Sequence, residues 1–332
     1  MRTLTRRLMS RFIAGGVASS CLTGLAAPFV WAQSNMAKLR VGYVPVIDTT
    51  AFFVAQSQGF FKEERLDVEA TPVLGGGPAL SALAAAQFEL AMATVTSVLL
   101  GAAQGFDFRI VTAVAAVGSG PPDEIAALLV RKGGGIKRGS DCQGKRCAVQ
   151  LLNNLPWLCL RLWIDSTGGS SSKVSIVEVP FPQMSDALLG NRVDLVAINE
   201  PFLSAAIRNA PDKVEIAAWS ISQTLPNTIV ASFNATQEYL DKHGEVVHAF
   251  SRAYKKAVDW TVENKGNPVL EELISKFTRL PADQVRSLMV WPKFVKSVDP
   301  VSLDTMARAM QRYGLLKSLP DSALLIYDSA RI

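Results

Sequence analysis

From residue 39 to residue 105 the apolar and polar positions repeat one figure: a short apolar run, a polar or glycine-rich turn, then a segment of helical spacing. The strand-like runs are Leu39–Val44, Asp67–Val73 and Leu90–Ala93, and strands alternating with helices predict a parallel sheet. Open parallel sheets bind ligands beyond the carboxyl ends of their strands. Those ends carry Asp48-Thr49-Thr50, Gly75-Gly76-Gly77-Pro78 and Thr94-Val95-Thr96-Ser97. The helices after these turns would aim unpaired backbone N–H groups at a common point, where one small polar ligand can sit.

The same figure resumes later. Ala126–Val130 is an apolar strand, and the glycine and charge cluster Arg131–Gly139 after it reads as a crossover into a second α/β lobe. There Arg146–Gln150, Val174–Val179 and Asp194–Ile198 are predicted strands, with Ile216–Trp219 as an edge strand and Thr228–Ser232 as the return crossing. Their turns are Asn153-Asn154-Leu155-Pro156, Phe181-Pro182-Gln183-Met184 and Asn199-Glu200-Pro201, and Trp157–Ser166 has helical spacing. Beyond the return, Glu238–Glu263, Pro268–Thr278, Pro281–Val290 and Ser302–Arg312 have helical periodicity and no glycine-rich turns, which predicts helices packed on the first lobe and bracing the hinge. The division expected is residues 33–130 with 228–332 for the first lobe and 131–227 for the second.

The amino terminus changes the charge picture. Arg2, Arg6, Arg7 and Arg11 precede an uncharged apolar run that ends at Val30-Trp31-Ala32, the layout of a signal peptide over residues 1–32 with a small residue at the cleavage position. Thr5-Arg6-Arg7 fits twin-arginine export, whereas Met9 and Ser10 depart from it, so the Sec route stays open. The whole chain carries +5, and losing four arginines leaves about +1, with no basic patch to recruit nucleic acid. With 49% hydrophobic residues, what remains is long enough for two lobes.

Each candidate site residue has two readings. Asp48, Thr49 and Thr50 are favoured N-caps for a helix beginning near Ala51, and equally candidate ligand contacts. Gly76 and Gly77 follow the second strand and precede Pro78, at an expected N1 position, which turns a loop signal into an anion cradle. Thr94, Thr96, Ser97, Asn153, Asn154, Gln183, Met184 and Asn199 occupy the remaining cleft turns. Glu200 either contacts ligand or holds the hinge through backbone amides, the second being favoured. Phe52 is the one aromatic of the first helix placed to reach the cleft; Phe53, Phe60 and Phe61 are core. None of these turns carries Lys or Arg. A bound negative charge must therefore be met by helix N-termini and by hydroxyl or amide donors, with Thr96, Ser97 and Asn154 among them, which predicts a monoanionic or neutral solute.

Four ordered motifs carry a family resemblance: the V-G-Y-x-P stretch with Ala55–Glu69, then Gly75–Ala91, then Asp141–Val149 (D-C-Q-G-K-R-C-A-V), then Ala187–Phe202 (A-L-L-G-N-R-V-D-L-V-A-I-N-E-P-F). The chain resembles the periplasmic substrate-binding proteins of ABC importers, in the branch that includes nitrate, sulfonate, taurine and thiamine-pyrimidine binders. The resemblance implies an α/β fold of type II-like periplasmic binding proteins: two lobes, each a mainly parallel sheet flanked by helices, joined by two crossings. It further implies periplasmic localisation, capture of one small-molecule solute, and delivery to an ABC permease and ATPase at the inner membrane. A monomer is expected, with no cofactor and no metal. Desulfinases and pyrimidine-synthesising enzymes resemble the same fold, but they use a cleft cysteine or histidine, and these turns hold neither. A ligand-sensing domain is a third reading. Cys142 and Cys147 flank a Gln-Gly-Lys-Arg turn and form a possible disulfide in an oxidising compartment; since the family places apolar side chains there, two buried free thiols are the alternative. Zinc-type spacing is lacking, and His243 and His248 lie far along the chain.

Overall fold

The structure is a computed structural model describing residues 36–286 and 288–331; the expected signal segment, residues 1–32, lies outside them. Among the described residues eleven strands form two sheets. The first contains β1 (Ala37–Tyr43), β2 (Leu66–Pro72), β3 (Leu90–Thr94), β4 (Phe108–Ala116), β10 (Ile229–Thr236) and the two-residue β11 (Lys293–Phe294), in the spatial order β11-β4-β10-β3-β1-β2. The second contains β5 (Ala126–Arg131), β6 (Arg146–Val149), β7 (Ser175–Glu178), β8 (Leu195–Asn199) and β9 (Val214–Trp219), ordered β7-β6-β8-β5-β9.

Sequence and position agree strand by strand. The Leu-Ala-Met-Ala core of β3 is buried throughout, as a central strand covered on both faces requires, whereas β2 alternates and lies at an edge. β1 pairs in parallel with β2 from Ala37↔Leu66 to Tyr43↔Pro72, and with β3 at Val41↔Leu90. β6 pairs in parallel with β7 and β8. Each sheet also receives one reversed strand in its interior: β10 lies antiparallel between β3 and β4, and β5 antiparallel between β8 and β9. Both are the strands that follow a crossing. A chain arriving from the opposite lobe enters its new sheet at the cleft end and must run the other way.

Three expectations need correction. Ala126–Val130 closes no first lobe: β5 pairs with β8 and β9 in the second sheet, so the chain leaves the first sheet after Ala116. Arg131–Gly139 is a turn inside the second lobe rather than the crossing. Phe108–Ala116, not anticipated, is a long, almost wholly buried strand between β10 and β11. And Pro281–Val290 keeps, among the described residues, one helical stretch, Ala282–Val285; farther on, the N–H of Met289 donates to Ser204 Oγ, 3.0 Å away in the second lobe.

The core of the first lobe is aromatic. Phe52, Phe61, Phe233, Phe250 and Tyr254 pack with centroids 5.2–6.4 Å apart, the last two from the long helix Gln237–Glu263. Phe53 stacks on Phe277 of helix Pro268–Thr278 at 4.7 Å. The carboxyl-terminal helices thus pack on the first lobe. They also reach across: Tyr313, after helix Pro300–Arg312, donates to Asp165 of the second lobe at 2.7 Å while Arg161 lies over the Trp157 and Tyr313 rings.

The two crossings, residues 117–125 and 220–228, are bonded to each other. Val117 N donates to Thr228 O at 3.1 Å and Asn227 N to Gly118 O at 3.2 Å. Glu124, fully buried, accepts from Ile125 N and Ala126 N on one oxygen and from Ser222 N on the other. One carboxylate therefore ties both strands of the hinge, and three amide N–H groups hold it there.

Candidate functional site

The carboxyl ends of the two sheets face each other, and their turns touch. Thr94 Oγ1 donates to Asn154 Oδ1 across the cleft at 2.6 Å. Thr96 Oγ1 lies 3.2 Å from the same oxygen and 2.8 Å from Thr94 Oγ1, and Ser97 Oγ lies 3.0 Å from Thr94 Oγ1. Asn154 also caps helix Leu155–Ser166 by accepting Leu155 N at 2.7 Å. Gln150 Nε2 reaches Leu74 O of the first lobe at 2.5 Å. Beside it a Cβ on Gly75 would stand 2.5 Å from Leu151 Cδ1, and one on Gly76 2.8 Å from Ser97 Oγ. At Gly76 the main chain of Thr94 and Ala93 also stands 3.0 and 3.2 Å from that position, so a side chain there would have to displace backbone. The helix begins at Gly76, so Pro78 is its third residue rather than its first.

Three cavities follow one another along this cleft. The central one, 30 Å³, is lined by Asp48, Gly76, Thr94, Gln150, Asn154, Asn199 and apolar groups including Met92, Phe181 and Ile221. A 170 Å³ cavity beyond the Thr94–Asn154 contact involves Gly77, Ser97, Asn153 and Phe106, and a 280 Å³ cavity beyond the Gln150–Leu74 contact is lined by Val73, Phe181, Pro182 and Phe202. Among the described residues no Lys or Arg lines any of the three.

Asp48 is 4% exposed, and its Oδ1 has no hydrogen-bond partner among the described residues. Burial, with the nearby Glu124 charge, pushes its pKa up to about 7 against the pull of its own backbone N–H. Asn199 Oδ1 is likewise unpartnered. Glu200 is a contrasting acid: fully buried and pushed up to about 7 by desolvation, it accepts from Ser204 N at 3.0 Å and Ser204 Oγ at 2.6 Å.

The structure thus brings Asp48, Gly76, Gly77, Thr94, Ser97, Asn153, Asn154 and Asn199 to the cleft cavities, with Thr96 one hydrogen bond behind them. The other expected residues lie elsewhere. Thr49 Oγ1 donates to Val44 O and Thr50 Oγ1 to Ile47 O; both are fully buried and cap no N–H, because a 3-10 turn over Ile47–Thr49 rotates them inward. Phe52 is sealed in the aromatic core. Helix Phe181–Leu189 begins at Phe181, which puts that ring toward the cleft, Met184 in the core and Gln183 on a surface groove of the second lobe. Glu200 lines none of the three cavities. Gln150, Phe181 and Ile221 are not among the expected contacts; Phe181 carries a signal as the first residue of a predicted cleft turn and Gln150 as the last residue of a predicted strand, whereas Ile221 carries none.

Among the described residues no group of three His, Cys, Asp or Glu side chains is placed to hold a metal. Cys159 is buried, its pKa pushed up to about 12, a thiol rather than a thiolate at neutral pH. Cys142 and Cys147 are buried and unbridged.

Known proteins share this architecture. The periplasmic aliphatic sulphonate binding protein SsuA of Escherichia coli superposes with a TM-score of 0.73 at 19% identity, over 89% of this chain and 98% of that one. The periplasmic nitrate-binding protein NrtA of Synechocystis PCC 6803 gives a TM-score of 0.74 at 13% identity, over 87% of this chain and 85% of that one. In sequence, YtlA of Bacillus subtilis (strain 168), named a binding protein, is 21% identical over 266 residues, 77% of this chain and 75% of that one. The fold is that of the periplasmic binding proteins. The sequence model described as NMT1/THI5 like matches residues 46–267, and with more than half of its length matched, the chain belongs to the NMT1/THI5-like family.

Proposed function

We propose that this protein is the extracytoplasmic solute-binding component of an ABC importer, capturing a small monoanionic or neutral organic solute between its lobes and passing it to a membrane permease driven by an ATPase. The observation that carries the reading is the meeting of polar turns from both lobes at the Thr94–Asn154 contact, in a fold whose solved relatives are sulphonate and nitrate binding proteins. These relatives are binding proteins rather than enzymes, and an unactivated Cys159 fits that reading. The absence of cationic side chains around the cavities supports a solute of low charge. Among the described residues no helix is long and apolar enough to cross a membrane; secretion through the segment 1–32, by the Sec or the twin-arginine route, completes the reading.

The central cavity is 30 Å³, against roughly 300–1,000 Å³ for organic ligand sites. Admission of solute requires the Thr94–Asn154 and Gln150–Leu74 contacts to part as the lobes swing about the paired crossings. A thermal-shift screen of the mature protein against sulfonates, aromatic carboxylates, nitrate and aminopyrimidines tests the function, since a ligand at one hundred times its dissociation constant adds about 2.7 kcal/mol of stability. Small-angle scattering should then show a more compact particle with ligand; an unchanged radius at full occupancy removes lobe closure from the proposal. The Cys142–Cys147 bridge also stands as a proposal. Alkylation of periplasmic protein without reductant leaves one reactive thiol if the bridge forms and three if it does not.

A further inference from the structure

The central cavity has a polarity of its own, separable from the question of whether the protein binds solute. Of its polar side chains, three are already occupied. The Thr94 hydroxyl donates to Asn154 Oδ1, that oxygen also accepts Leu155 N, and Gln150 Nε2 is held by Leu74 O. Two fully enclosed oxygens of the cavity residues, Asp48 Oδ1 and Asn199 Oδ1, are without a partner among the described residues. Both are acceptors. An unpaired buried acceptor costs free energy that a ligand donor recovers, and an anion would instead face Asp48, with the charge of Glu124 close behind it.

Resting on the solute-binding reading, we infer that the buried end of the solute carries a hydrogen-bond donor, an N–H of a neutral or cationic nitrogen group, that bonds Asp48 Oδ1 and Asn199 Oδ1, and that donor-free anions are rejected from this end. The cavity beyond Thr94–Asn154, with Gly77 and Ser97 at its wall, takes the outer end of the molecule. Asp48 is thereby the specificity-determining residue, and it sets this chain apart from a scaffold that only gathers helix N-termini around an anion. Three buried groups bear on its ionisation: Glu124, whose oxygens are taken by amide N–H groups; Tyr254, whose hydroxyl is unpartnered and whose own ionisation the Asp48 charge opposes; and the ligand donor itself.

The test is a matched-pair titration of the mature protein by thermal shift and calorimetry: 2-aminopyrimidine against pyrimidine, benzamidine against benzoate, and nitrate alone, on the parent and on Asp48→Asn. Asn keeps the volume and places a donor where the acceptor was, and its ligand-free melting curve reports folding. The donor-bearing partner should bind the parent and lose about tenfold or more in Asp48→Asn, the loss expected for a hydrogen bond to a charged group, with affinity in the parent rising as pH passes from 6 to 8. If pyrimidine, benzoate or nitrate binds at least as well as its partner and Asp48→Asn leaves affinity unchanged, the inference is overturned while solute binding stands. If no compound of any class, including the wider sulfonate and carboxylate screen, stabilises the parent, the solute-binding reading itself falls.

Discussion

Asp48 and Glu200 sit on opposite lobes, both buried and both with an upward push to a pKa of about 7. Their surroundings differ. Both oxygens of Glu200 are satisfied by Ser204, whose hydroxyl in turn accepts Met289 N, so the group joins helix Phe202–Asn209 to the segment that packs from the first lobe. One oxygen of Asp48 has no partner among the described residues, and the residue lines a cavity. Two buried carboxyls thus serve differently: the first is a fastening, and the second is held ready for something outside the chain. Burial and a shifted titration do not distinguish such roles; the count of hydrogen bonds does.

The comparison is broken most severely by removing the fastening. Glu200→Ala leaves Ser204 N–H buried without an acceptor and frees residues 289–290, and it should cost about 3 kcal/mol of stability in urea unfolding; a loss near zero would mean that the Ser204 bonds carry no weight. Asp48→Asn should do the reverse. The folded-state value of Asp48, about 7, lies above its ordinary 3.8, so the folded protein holds a proton that the unfolded chain releases. The stability this proton confers is full below pH 4 and lost as pH rises through 7. The variant, which has no proton to lose, should match the parent near pH 4 and exceed it by about 2 kcal/mol at pH 8. Glu200 titrates in the same direction, from 4.5 to about 7, so a residual slope survives in Asp48→Asn.

Smaller effects come from the contacts between the lobes. Thr94→Val removes the 2.6 Å bond to Asn154 and should cost about 1 kcal/mol, with a matching loss of ligand affinity. Thr96→Val keeps that bond and should cost less, since Thr96 acts only through Thr94 and Asn154. Gln150→Ala deletes the tie to Leu74 O. It should change stability by roughly 0.5 kcal/mol yet lessen the compaction that ligand brings in small-angle scattering; an unaltered compaction would show that this contact does not hold the closed cleft.

The sequence made most of the strands readable because their apolar runs end in turns of glycine, asparagine and threonine, and strand-turn-helix order alone placed Gly76, Thr94 and Asn154 at one cleft. Phe108–Ala116 was hidden by its alanines, which carry little strand preference although the strand is almost wholly buried. For Thr49, Thr50 and Met184 the sequence is silent on direction, because a polar or apolar label does not give the rotation of a helix about its axis. The 3-10 turn at Ile47–Thr49 and the helix start at Phe181 set that rotation. Glu124 was missed for another reason: a single acid in a loop has no period, and its partners Ile125, Ala126 and Ser222 include one nearly a hundred positions away.

The interior position of β10 also bears on how the chain is made. Residues 229–236 fill the gap between β3 and β4, so the first sheet to be synthesised is the last to be completed. Until β10 arrives, β3 and β4 each present an open edge, the kind of surface that pairs wrongly between molecules. The second sheet draws all its strands from the continuous stretch 126–219 and can close first. Its assembly brings residue 229 back to the cleft, shortening the loop that the late strand has to bridge. The chain therefore stays vulnerable until about two thirds of it has been made, and the lobe that carries the amino terminus depends on the other to finish folding.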